Sequence, residues 1–327
     1  MSTTHTTSTR AARRGRARLA SIPGSGPRAA ARLAGEHRPG RIWILTDRRY
    51  LDQRMPRALT DWLSRAGHAP RVVVADDGPV FSHISPLADP VVPSAWSGLE
   101  PGDLVVARSR HPLALALLDE AAARGAQTIN PPQAVNRVRD KATCAVALAR
   151  RGLPVPRTII VQQPSDLLEL PDSAFPIVVK PVYGDNARGV QIVPSRDRIH
   201  DLGHSEELLL AQAYVDAEGY DVKLYVAGDH IWATRRPSPL VAPDADAVRV
   251  PVTPALRAIA EACRAEFGLR LGGVDVRESD VGLSIVDVTD FPNYTGLDEA
   301  PEEIGGLLLS AAMRDARPRE AGWSVAA

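Results

Sequence analysis

A parallel α/β domain followed by an α+β domain is the fold class this chain predicts, and three observations carry it. Apolar strand-like runs alternate with helical segments between residues 41 and 132, the pattern of a parallel sheet with crossover helices. Pro131-Pro132 then marks a boundary. From Phe175 onward, short strands separated by tight turns replace that alternation.

The first strand is expected at Ile42-Trp43-Ile44-Leu45, followed by a helix near Pro56–Ala66 and a second strand over Arg71–Ala75. Pro101-Gly102-Asp103 turns into a strand at Leu104–Ala107. His111–Arg124 reads as a helix closed by Gly125, with Leu113, Leu117 and Leu118 on one face. Residues 76–100, rich in Pro, Ser and Asp, read mostly as loop. One helix is expected from Gln133 to Arg151, carrying Lys141, and Leu153–Thr158 is extended because of its two prolines. Strands are expected at Ile177–Pro181, Gly189–Val193, Leu208–Val215, Val222–Ala227 and Ile231–Thr234. A helix to Phe267, a hairpin from Gly273 to Val288 and a last helix over Pro301–Arg314 complete the order. The expected limits are 1–40 for an Arg-rich disordered tail, 41–132 for the α/β domain, 133–315 for the α+β domain and 316–327 for a flexible C-terminus.

Composition narrows the function classes. With 44% hydrophobic and 24% charged residues the chain has the make-up of a soluble globular protein. Its formal charge is zero, yet residues 1–40 hold eight Arg and the single acid Glu36, so the remainder is net acidic. That excludes a basic nucleic-acid-binding body. The tail lacks the apolar core of a secretory signal, and no run of about 18 apolar residues exists to span a membrane. Cys144 and Cys263, both in helix-like surroundings, fit small core residues in a reducing cytoplasm.

Against 36 arginines the chain has three lysines, Lys141, Lys180 and Lys223. A chain that writes its cations as Arg keeps Lys where a compact point charge is wanted, as at polyphosphate oxygens. Lys180 ends the apolar strand Ile177–Pro181. The loop after it, Val182–Val190, has Gly184 and Gly189 at its ends to free the backbone and Arg188 within it. Leu208–Val215 turns polar at Gln212, where its backbone could meet an adenine edge.

The hairpin carries the sharpest physical signal. With its turn centred on Val281, Asp275 and Asp287 face each other, while Val274, Val276, Val286 and Val288 share the buried face. Like charges directly opposite destabilise an antiparallel pair, and a hard divalent cation is the usual offset.

Together these segments resemble the ATP-grasp superfamily, in its branch of ribosomal-protein-S6-modifying glutamate ligases and inositol tris/tetrakisphosphate kinases. The resemblance rests on Arg139-Asp140-Lys141 with Gly152–Thr158, Val178–Pro181 with Gly184 and Gly189, and Gln212–Val215. It continues through Asp221–Gly228, Arg235-Arg236-Pro237-Ser238 and the Asp275/Asp287 hairpin ending in Phe291-Pro292. It implies an α/β domain followed by an α+β ATP-grasp fold, two subdomains clasping ATP, with ATP and Mg2+ as cofactors. By the same resemblance Lys141, Lys180, Asp221 and Lys223 belong to the nucleotide site, Gln212, Ala213, Tyr214 and Val215 form its adenine hinge, and Gly184, Arg188 and Gly189 close over the phosphates. Asp275 and Asp287 match the magnesium carboxylates. Thr289 stands where relatives place Asn, and Asp290 is a poor substitute because alternation turns it away.

The reaction so implied activates a carboxylate as an acyl phosphate and joins it to an amine, with Lys223 at the phosphates and Arg235 or Arg236 orienting the acceptor. A small-molecule kinase of the inositol polyphosphate type and a nucleotide-binding pseudoenzyme are the alternatives. The expected partners are a small-molecule or peptide carboxylate and an amine, without nucleic acid or membrane, in the cytoplasm, and the oligomeric state stays open.

Overall fold

A computed structural model describes residues 40–77, 95–184, 188–203, 208–217, 219–238, 242 and 245–314. The expected tail (Gly40 apart), most of the 76–100 loop and the 316–327 terminus lie outside the described residues.

The first sheet is parallel, in the order β2-β1-β3-β4, from β1 (Ile42–Thr46), β2 (Arg71–Val74), β3 (Leu104–Arg108) and β4 (Gln127–Ile129). Both faces of β1 are buried, as the run of apolar residues requires. Ile42 and Ile44 meet Met55, Leu59 and Leu63 of α1 (Arg54–Arg65), while Trp43 and Leu45 meet Ala114, Leu117 and Leu118 of α2 (Pro112–Ala123).

The single helix expected over Gln133–Arg151 is two, α3 (Pro132–Arg139) and α4 (Lys141–Arg150). Asp140 breaks it with ψ 98, and its carboxylate accepts from Thr143 N at 2.8 Å. An N-capping Asp outcompetes helical continuation here, and it places Lys141 at the first position of α4.

A four-stranded antiparallel sheet follows, in the order β5-β8-β6-β7, from β5 (Thr158–Val161), β6 (Ile177–Pro181), β7 (Gln191–Val193) and β8 (Leu209–Ala213). One face packs on Leu167 and Ile199 of two 3-10 turns. The last sheet runs β11-β10-β9-β12-β13, from β9 (Tyr220–Ala227), β10 (His230–Pro237), β11 (Val248–Val250), β12 (Leu271–Ser279) and β13 (Gly282–Thr289), also antiparallel. Its Val222, Leu224, Val274, Val276 and Val288 pack on α5 (Pro254–Phe267). Strands β4, β5 and β11 were not expected from the sequence; all are three or four residues long, too short for a period to declare itself.

The chain then returns. Helix α6 (Ala300–Arg314) lays Ile304 and Leu308 on the first sheet beside α1, and the described residues cluster as one compact unit. Gly305 permits that approach, because a Cβ there would lie 2.1 Å from Trp62 Cε3. The buried Asn130, just past β4, uses its whole amide: Nδ2 donates to Leu271 O (2.7 Å) and Asp290 O (2.6 Å), and Oδ1 accepts from Arg270 N (2.7 Å) and Leu271 N (2.9 Å). This one side chain joins the first sheet to the start of β12 and the end of β13. No helix among the described residues is long and apolar enough to cross a membrane.

Candidate functional site

Strand alternation builds the floor of a cleft. The face of the last sheet opposite α5 carries Asp221 and Lys223 on β9, Arg236 on β10, Asp275 and Arg277 on β12, and Asp287 and Thr289 on β13. Asp275 lies opposite both Lys223 and Asp287 in the ladder. The expected juxtaposition of the aspartates is present, but it is reached differently. A two-residue turn, Asp280-Val281, would by itself pair Asp275 with Val286. A bulge absorbs Val286 and brings Asp287 into register instead, with Ile285 taking the buried place opposite Val276. Val286 therefore lines the cleft rather than the buried face expected for it, and its carbonyl accepts from Lys180 Nζ at 2.8 Å.

The facing wall comes from Val178 and Lys180 of β6, Gln212 and Ala213 of β8, and Lys141 at the start of α4. The cleft has a volume of about 700 Å³. All three lysines of the chain reach it. Lys141 Nζ donates to both oxygens of Asp287, at 2.7 and 2.8 Å, and Lys223 Nζ sits 2.7 Å from Asp275 Oδ1.

Burial and these neighbours set the protonation states. Burial pushes Lys180 down to about 8 despite the nearby Asp287. Burial works against the charge on Lys223 too, but Asp275 outweighs it and raises its pKa. For Asp287, burial favours the neutral form, whereas Lys141, Lys180 and Lys223 together hold its carboxyl below the ordinary value. Asp221 is raised, chiefly by burial, although Arg277 at 3.0 Å pulls the other way.

Of the residues singled out from the sequence, the cleft gathers Lys141, Lys180, Gly184, Arg188, Gln212, Ala213, Val215, Asp221, Lys223, Arg236, Asp275, Asp287 and Thr289. Arg235 is a correction. Alternation along β10 turns it to the other face, where its guanidinium lies 4.3 Å from the Tyr220 ring centre in a separate depression with Asp216 and Glu278. Gly189, at φ 71, serves the turn before β7, and Tyr214 stands outside the lining with its ring 5.3 Å from the Arg277 guanidinium. In the hinge, Ala213 N donates to Arg157 O (2.9 Å) and Tyr214 N to Pro176 O (3.0 Å). Val215, which lines the cleft, is left as the N–H without a partner among the described residues. Asp290 does turn away, buried between Arg110 and Arg139 at 3.3 Å each. Those arginines overcome the effect of burial and hold its pKa low.

Sequence reasoning gave Arg277 no role in the site and named Ser238 only as the end of the Arg235–Ser238 segment. For Arg277 the signal existed, since it stands two residues beyond Asp275 on the same face of β12.

Comparison with known proteins places these features in a group. Residues 138–304 match the family model described as the RimK-like ATP-grasp domain. The chain is 27% identical over 218 residues to a probable alpha-L-glutamate ligase of Legionella pneumophila (strain Corby), covering 62% of this chain and 72% of that one. It is 26% identical over 226 residues to probable alpha-L-glutamate ligase 1 of Shewanella amazonensis, covering 63% and 74%. Among solved structures, a RimK domain ATP-grasp protein from Sphaerobacter thermophilus superposes with a TM-score of 0.64 at 21% identity, over 84% of this chain and 100% of that one. The ATP-grasp ligase PsnB, complexed with a minimal precursor, Mg and ADP, superposes at 0.63 and 19%, over 84% and 98%.

Proposed function

This chain belongs to the RimK-like ATP-grasp family, and on that premise we propose that its cleft binds ATP with magnesium, activates a carboxylate and joins it to an amine. The observation that carries the reading is that all three lysines line one cleft with Asp275 and Asp287, two of them paired to those carboxylates. The expectation of a ligase rather than a kinase agrees with relatives named as ligases.

The residues present fit both cofactors. Asp275 and Asp287 are hard oxygen donors paired across one ladder, with the Thr289 hydroxyl two residues on. Among the described residues no third His, Cys, Asp or Glu joins them, so the remaining oxygens would come from phosphate and water. A magnesium ion held there would offset triphosphate charge and polarise the γ-phosphoryl group. Val215 N–H offers the adenine edge a donor.

In the reaction, a carboxylate oxygen of the acceptor attacks the γ-phosphorus in line and ADP departs, leaving an acyl phosphate. The amine nitrogen then attacks the carbonyl carbon, phosphate leaves and the nitrogen loses a proton. Lys141, Lys180 and Lys223 neutralise the phosphates. Arg236, which lines the cleft, would orient the acceptor carboxylate through two parallel hydrogen bonds, and Arg188 would close over the phosphates. Glutamate is the first amine to test, because relatives carry its name.

The test is a turnover screen of candidate acids with and without an amine pool. ADP release that needs both substrates, and a hydroxamate trapped by hydroxylamine, is the expected result. Consumption of a polyol phosphate with no amine and no inorganic phosphate released would establish the kinase instead.

A further inference from the structure

The cleft floor holds its two carboxylates in a way that bears on how a metal enters. Asp275 and Asp287 stand directly opposite each other, an arrangement that costs stability unless their charge is offset. The offset is internal. Lys141 grips both oxygens of Asp287, and Lys223 takes Asp275 from the neighbouring strand. Lys180 rests on the bulge carbonyl of Val286, one residue from Asp287.

We propose that these lysine–aspartate pairs are a partner-exchange device: Lys141 and Lys223 occupy the two carboxylates until nucleotide phosphates draw them off, so a divalent cation gains its site only together with the nucleotide.

The charge balance argues for it. A free divalent cation would have to displace two ammonium groups and would then lie among three lysines with two carboxylates to balance them. A nucleotide arriving without a cation would take the lysines and leave two facing carboxylates uncompensated. When both arrive, the charges of the Lys141–Asp287 and Lys223–Asp275 pairs change partner and none of the four is left alone. Such linkage is reciprocal, so the nucleotide tightens the cation as much as the cation tightens the nucleotide. The aspartates are held by Lys rather than Arg, and a compact ammonium can swing between a carboxylate and a phosphate on one flexible stem. The pair Asp221–Arg277 lies directly beyond Lys223–Asp275 on the same two strands. Its partner is a planar fork, and it stays closed throughout the exchange.

This inference rests on the nucleotide-and-magnesium reading above, but it fails separately. The ligase reading falls on product analysis, whereas the exchange falls on binding measurements made without an acceptor. Because the chain contains three lysines, full-length protein grown with isotopically labelled lysine gives three side-chain NMR signals. Millimolar Mg2+ alone is expected to leave all three in place, and Mg2+ with the non-hydrolysable analogue AMPPNP to move those of Lys141 and Lys223. Movement with Mg2+ alone would overturn the proposal.

Substitution gives a second, independent readout. Without nucleotide, Lys141→Met and Lys223→Met should each bind Mn2+ about tenfold more tightly than the parent, within the usual range of coupling. Arg236→Met, which removes a cleft cation that holds neither aspartate, should not. An equal gain in all three variants would mean that the cleft's general field governs the metal, and no gain in either lysine variant would mean that the pairs do not block it. A variant that failed to fold could not show the gain, and the labelled parent protein decides the question without any substitution.

Discussion

Arg235 and Arg236 are adjacent and chemically identical, yet only one faces the cleft. The difference is strand parity, so the two substitutions should separate sharply. Arg236→Ala is expected to lower kcat/KM on the order of a hundredfold, the usual cost of losing one charge-stabilising donor. Arg235→Ala should stay within about twofold, as for a surface change that removes only a ring contact. Steady-state kinetics on the two variants checks the assignment, and equal effects would contradict it. Thr289 is the other position where a single atom matters. Its hydroxyl lies a long 3.5 Å from Gly273 O, so little is lost by replacing it. Thr289→Asn adds a carbonyl oxygen beside Asp287 and should tighten Mg2+ in the presence of nucleotide by about tenfold, roughly 1.4 kcal/mol. Unchanged affinity in calorimetry would leave Thr289 as a bystander.

At the scale of elements, legibility depended on how local the cause was. The opposed aspartates could be read because a hairpin with alternating valines has few registers. The bulge that delivers them could not, since an extra residue in one strand leaves no mark in composition or period. Parity along β10 was equally hidden: it is set by the tight turn at Gly228-Asp229 and by pairing with β9. The break at Asp140 was written in the sequence as a capping residue, but apolar periodicity on both sides masked it. Asp140→Ala should therefore have two effects. Loss of the cap on Thr143 N should cost about 1 kcal/mol in chemical denaturation. Nucleotide binding should also weaken, because Lys141 is the next residue and depends on where α4 begins. Stability lost with nucleotide affinity unchanged would show that Lys141 is positioned by other contacts.

For the whole molecule, what the sequence concealed was long-range. Periodicity could announce the parallel sheet, but nothing near Ile42 or Ile44 reveals that a helix some 260 residues later covers them. Asn130 likewise reads as an ordinary polar residue until the start of β12 and the end of β13 are brought to it. Asn130→Ala should strand the buried carbonyls of Leu271 and Asp290 and the buried N–H of Leu271, and cost about 3 kcal/mol or more. Equilibrium denaturation would measure it, and a loss below about 1 kcal/mol would mean that water or a backbone shift replaces the amide. The return of α6 to the first sheet also governs the order of events on the ribosome. Strands β1 and β3 emerge early and can pair, but the part of their face that Ile304 and Leu308 cover stays open until α6 has been made. A nascent chain stalled before Ala300 therefore carries an open apolar surface, of the kind that recruits a chaperone.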